Sequence, residues 1–149
     1  MLGSKDLDEL IWKQWRDLGF HYDFDPEAAR WTFTGSRDGL ARFSSLLREY
    51  VADPRNERQG EHEHYGPYFY LKVMTWTEPG INSNAIVGTL SDLARLADLV
   101  DAKLSEAHPG SRFEIGKEYA IDAEAVLAFD VQEASFEPTS LDPQAGRAV

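Results

Sequence analysis

The chain contains no cysteine, which excludes a disulfide scaffold and thiolate metal sites and suits a reducing compartment. No apolar run approaches the roughly 20 residues that a membrane-spanning helix needs. The first residues, Met1 to Lys13, lack the basic-then-apolar order of a secretion signal. The expected location is therefore cytoplasmic. Basic residues are also few: 15 Lys and Arg face 26 Asp and Glu, for a formal net charge of −11. A nucleic-acid binder needs clustered cations to displace counterions from phosphates, so that role is disfavoured. The same charge attracts a basic protein, although solubility alone is the plainer reading. What is present suffices for a core: 42% of the 149 residues are apolar and 12% aromatic.

Hydrophobic periodicity predicts one α+β domain over residues 1–137, with a disordered tail over 138–149. Leu7, Leu10, Ile11, Trp15 and Leu18 recur at helical spacing and predict an N-terminal helix over 5–19, stopped at Gly19. A connector follows, from His21 to Arg30. Trp31 to Thr34 reads as a strand. The segment Arg37 to Val51 reads as a helix with the stripe Leu40, Phe43, Leu46, Leu47, Tyr50 and Val51. After a polar loop, Tyr65 to Trp76 reads as one long strand. Glu78-Pro79-Gly80 is turn chemistry, and Ala85 to Val87 reads as a short strand. A second helix runs to about Ala107 along Leu93, Leu96, Leu99, Val100 and Leu104. Arg112 to Tyr119 and Val126 to Glu133 read as strands.

Two segments match without gaps at an offset of 88 − 35 = 53, pairing Gly35 with Gly88. Leu40, Ala41, Arg42 and Leu46 then meet Leu93, Ala94, Arg95 and Leu99, and Ser36 meets Thr89. The alternative is two unrelated amphipathic helices with similar stripes. A duplicated strand–helix–strand unit, with halves over about 31–76 and 85–119, predicts a ferredoxin-like antiparallel sheet. Both helices lie on one face of it, with the N-terminal helix and an extra edge strand over 126–133 added.

Strand alternation then places Phe69, Leu71, Val73 and Thr75 toward the core. Tyr68, Tyr70, Lys72, Met74 and Trp76 fall on the opposite face. That much apolar surface calls for a cover: the N-terminal helix with Trp12 and Trp15, a second copy, a protein partner or a ligand. As a partner surface, Tyr68, Tyr70 and Trp76 are the candidate anchors and Glu61 and Glu63 the acidic rim.

Chemical motifs are sparse, and no cofactor or catalytic residue is assigned. In Glu61-His62-Glu63-His64, an extended backbone puts His62 and His64 on one side, as two metal ligands require. His21, His108 and several carboxylates are candidates for a further ligand, but none has diagnostic spacing, and polar loops often carry such runs. Ser36 and Thr89 are helix caps before they are nucleophiles. No nucleophile elbow or phosphate loop is present. Asp122 and Glu124 lie in a turn. Asp130 sits within an apolar strand, where the plain reading is its solvated side.

The stretch Gly60-Glu61-His62-x-His64-Tyr65-Gly66-Pro67 leads into the strand 68–76. With Ile86-Val87-Gly88, Asp92-Leu93-x-x-Leu96 and Leu127-x-Phe129-x-Val131, it resembles small acidic immunity proteins of bacterial polymorphic toxin systems. The resemblance covers about Trp31 to Pro138. It implies a non-enzymatic cytoplasmic protein that binds and neutralises a cognate toxin, and it assigns no residue a role. Two other functions remain: a homodimer stacked through its sheet faces, and a ligand-binding or enzymatic domain using the open sheet face near His62, His64 or Asp130.

Overall fold

The computed structural model describes residues 4–143. Helix α1 spans Ser4–Leu18, and its Trp15 and Leu18 are buried whereas Leu7 and Leu10 lie exposed. Gly19 ends it with φ +94° and donates its N–H to the Trp15 carbonyl at 3.0 Å. The chain then forms β1 (His21–Asp25) and β2 (Arg30–Ser36), an antiparallel hairpin. Asp25 closes its turn by accepting the N–H groups of Glu27 and Ala28. The expected connector from His21 is thus a strand, with Tyr22 opposite Phe33.

Helix α2 is Arg37–Ala52 and α3 is Leu90–Ser105. Both begin at the same offset, 90 − 37 = 53, and end at it, 105 − 52 = 53. Their caps correspond too: Ser36 accepts from Gly39 N at 3.0 Å, and Thr89 accepts from Asp92 N at 3.1 Å. Thr89 adds a full capping box, its own N–H donating to the Asp92 carboxylate at 2.9 Å. The helices lie side by side, tied by Ser44 Oγ donating to Asp101 at 2.6 Å and by Arg48 reaching Asp98 at 3.0 Å.

Between them run β3 (His62–Tyr65), β4 (Leu71–Thr75), β5 (Gly80–Ile81) and β6 (Ile86–Gly88); β7 (Arg112–Ile115) and β8 (Val126–Gln132) follow α3. A ferredoxin-like domain places its strands in one antiparallel sheet. Here the strands form two mixed sheets, ordered β1-β2-β8-β7 and β3-β4-β6-β5. Each has a parallel central pair, β2 with β8 and β4 with β6, flanked by antiparallel hairpins. The difference has a local cause. Segments read as a connector and a turn supply β1 and β5, so a hairpin rather than a single strand precedes each helix. Each sheet takes one hairpin from each half of the chain. Consequently β8 is central in its sheet, not an added edge.

One core joins the layers. Phe43 of α2 packs on Phe33 at 4.8 Å and Phe129 at 5.9 Å between ring centroids. From α3, Leu93, Leu96, Ala97 and Val100 are fully buried. Tyr50 at the end of α2 bonds Thr75 Oγ1 and the Glu61 carbonyl, both at 2.7 Å, which anchors the second sheet.

The tail expected from Pro138 is structured as far as Pro143. Pro138–Leu141 is a 3-10 turn whose preceding Glu137 pairs with Arg16 of α1 at 3.1 Å. Thr139 and Asp142 are buried. The rest of that expected tail, 144–149, lies outside the described residues. No helix among the described residues is long and apolar enough to cross a membrane.

Candidate functional site

The expected long strand Tyr65–Trp76 is broken. Leu71, Val73 and Thr75 are buried as the alternation predicts, but Phe69 is 63% exposed. The chain bends between β3 and β4 because Gly66 takes φ +74°, and because Tyr68 and Phe69 take φ +67° and +60°. Gly66 is required there, since an added Cβ would meet Tyr22 at 2.8 Å and Leu18 at 2.9 Å. Bulky residues rarely adopt left-handed backbone, and each such position costs about 1–3 kcal/mol.

Surrounding contacts hold the bend. The Tyr22 hydroxyl donates to the Pro67 carbonyl and accepts the Tyr70 N–H at 3.3 Å. Burial pushes the Tyr22 phenol up to about 12, so it stays a protonated donor. His64 Nδ1 bonds the Phe69 carbonyl at 2.9 Å. The Tyr68 hydroxyl donates to Asp142 at 2.7 Å, and burial followed by that carboxylate raises its pKa. The strained bend therefore presents Phe69 and Tyr70, each 63% exposed, to solvent.

Beside it opens a cavity of about 800 Å³, where β1 and β2 of one sheet meet β4 of the other. Its inner wall is aromatic. Trp15 stacks on His21 at 4.6 Å between centroids and meets Tyr22 at 5.1 Å. Tyr68 lies 5.8 Å from Tyr70. Trp31 donates its indole N–H to the Asn82 carbonyl at 2.8 Å. The C-terminal segment closes one side: Asp142 accepts the Trp15 indole N–H at 2.7 Å on the oxygen that also accepts from Tyr68. Asp23, Lys72, Ser83 and Asn84 stand around the mouth.

His21 is the polar group of the inner wall that the fold leaves unspent. It is 9% exposed, and neither ring nitrogen has a hydrogen-bond partner among the described residues. Burial lowers its pKa, against the opposing charges of Asp23 and Asp142, so the neutral ring offers one donor and one acceptor to the cavity. Aromatic rings with a few polar groups are the ordinary makeup of a ligand or side-chain pocket.

The structure divides the residues picked from sequence. Tyr68 and Tyr70 line the cavity, Tyr68 half-buried beneath α1 and the C-terminal turn. Trp76, Glu61 and Glu63 do not line it. Trp76 and Glu61 lie at the opposite end of the β3–β4 hairpin, where Glu61 pairs with Thr75. His62 and His64 share one side, with ring centroids 5.2 Å apart, and among the described residues no cluster of three or more His, Cys, Asp or Glu forms. Asp130 accepts from Arg112 at 2.8 Å, a structural pair across β7 and β8. Ser36 and Thr89 serve as caps. Sequence reasoning missed Tyr22, Trp31 and Asp142 as site residues, and it singled out His21 only as a possible further metal ligand. The signal available for His21 and Tyr22 was the alternation in His21-Tyr22-Asp23-Phe24.

Comparison with known proteins found no matching family model, no matching curated protein and no matching solved structure.

Proposed function

We propose that the chain is a non-enzymatic binding protein of the immunity type, acting in the cytoplasm, which captures a basic toxin with the cavity end of the molecule. The supporting observation is the strained bend at Tyr68 and Phe69, which holds two large aromatics in solvent beside an open aromatic cavity. Backbone strain of this kind persists where neighbours over-determine it, and it concentrates at binding sites. Exposed aromatics next to a pocket are the usual anchors of an interface. A net charge of −11 speeds encounter with a basic partner. The paired caps and equal helix offsets support reading the two halves as a duplicated hairpin–helix–hairpin unit.

Co-expression with proteins encoded beside its own gene tests the reading. A neighbour that arrests growth alone, and loses that toxicity in stoichiometric complex with this chain, is the expected result. Relief of toxicity without a complex overturns it, as does an absence of any growth-arresting neighbour. A second reading, a small-ligand carrier, is favoured by one observation: the unpartnered imidazole of His21 within the cavity. A homodimer would show itself as doubled solution mass.

A further inference from the structure

The geometry points to a copper-binding site on the outer face of the β3–β4 hairpin, formed by His62, His64 and Met74. It does not rest on the partner reading, although its His64 and the neighbouring Lys72 also line the cavity. His62 and His64 are two apart on one strand and so project from the same face. Each Nδ1 sits against a backbone carbonyl, His62 on Gly60 at 3.1 Å and His64 on Phe69 at 2.9 Å. A carbonyl oxygen only accepts, so both Nδ1 atoms carry hydrogen. In that tautomer the lone pair of each ring lies on Nε2, and both side chains are exposed to solvent. Metal-bound histidines are oriented in this way, the second nitrogen fixed by a backbone carbonyl or carboxylate.

The spacing suits a shared ion. The ring centroids are 5.2 Å apart and the planes are nearly perpendicular, at 88°. Each nitrogen of a chelated transition metal lies about 2.0–2.1 Å from the ion.

The facing strand selects the metal. Met74 is paired directly with His62, and Lys72 with His64. Directly opposed residues of an antiparallel pair share a face. Met74 thus places a thioether opposite His62, on the face that carries both imidazoles. A thioether is a soft donor that favours copper over zinc, and among divalent ions copper binds nitrogen sites most tightly. The Lys72 ammonium favours the lower charge of Cu⁺ on that face. Glu61 and Glu63 flank His62 in the chain.

The test is titration of the full chain with Cu²⁺, and separately with Cu⁺ under ascorbate in competition with a chromophoric chelator. One equivalent of each is expected to bind. His62→Ala and His64→Ala should each weaken Cu²⁺ binding by about tenfold or more, the scale of losing a ligand or its support. Met74→Leu should spare Cu²⁺ and weaken Cu⁺ by about fivefold or more. His108→Ala, on the loop before β7, should bind both ions as the parent does. Far-UV circular dichroism identifies any variant that fails to fold; His62→Gln and His64→Gln then replace the alanine variants. Folded histidine variants that bind Cu²⁺ as tightly as the parent overturn the site, as does the absence of a one-equivalent event. Met74→Leu with unchanged Cu⁺ affinity removes the thioether from it and overturns the copper assignment.

Discussion

Phe69→Ala combined with Tyr70→Ala is expected to weaken binding of the proposed basic partner about 100-fold, equivalent to about 2.8 kcal/mol. Both rings are 63% exposed, so truncation removes little core packing. The bend itself is set by Gly66, Tyr22 and the His64 contact, none of which is changed. Titration calorimetry of the purified complex measures the loss, and chemical denaturation of the free chain checks stability. A further variant separates backbone from ring. Phe69→Gly suits the φ of +60° better than any other residue, so it should lose affinity without losing stability. Retained affinity in the double variant would move the interface away from the bend.

Asp142→Ala is expected to destabilise the fold by about 2–4 kcal/mol in urea denaturation, since two donors to a charged group lose their acceptor. The carboxylate is 7% exposed and accepts from Trp15 and Tyr68 at 2.7 Å each. Trp15 is 2% exposed, so its indole N–H has poor access to replacement water. Tyr68 carries the left-handed backbone of the bend, so the loss also loosens the wall of the cavity. Asp142→Asn retains an acceptor oxygen and should cost less. Equal stability of Asp142→Ala and the parent would show that the C-terminal turn does not hold the site.

The helices and their caps were legible in the sequence because apolar spacing and capping chemistry are local. The stripes of α2 and α3 and the Ser36 and Thr89 caps fall where periodicity put them. Leu46 and Leu99 both pack toward the same core. Sheet membership was not legible, because it depends on pairings distant in sequence. Nothing local announces that β2 joins β8 or that β4 joins β6. Short strands were lost for a related reason. β1 carries Asp23 and Asp25 and ends at Asp25-Pro26, while β5 is two residues long and starts at the glycine of a turn. Half the candidate site went with them. The apparent continuity of Tyr65–Trp76 concealed the bend, since Tyr and Phe have strong strand propensity and are seldom left-handed. Asp142 was hidden in a proline-containing tail. Its burial comes from docking against α1, which composition does not encode.

Hydrogen–deuterium exchange of the chain, free and in complex with the proposed partner, gives the most direct test. Protection is predicted to appear at 66–72, 21–24 and 83–84, the bend and the rim of the cavity. Protection confined to the outer surfaces of α2 and α3, with the bend exchanging as in the free chain, would contradict it.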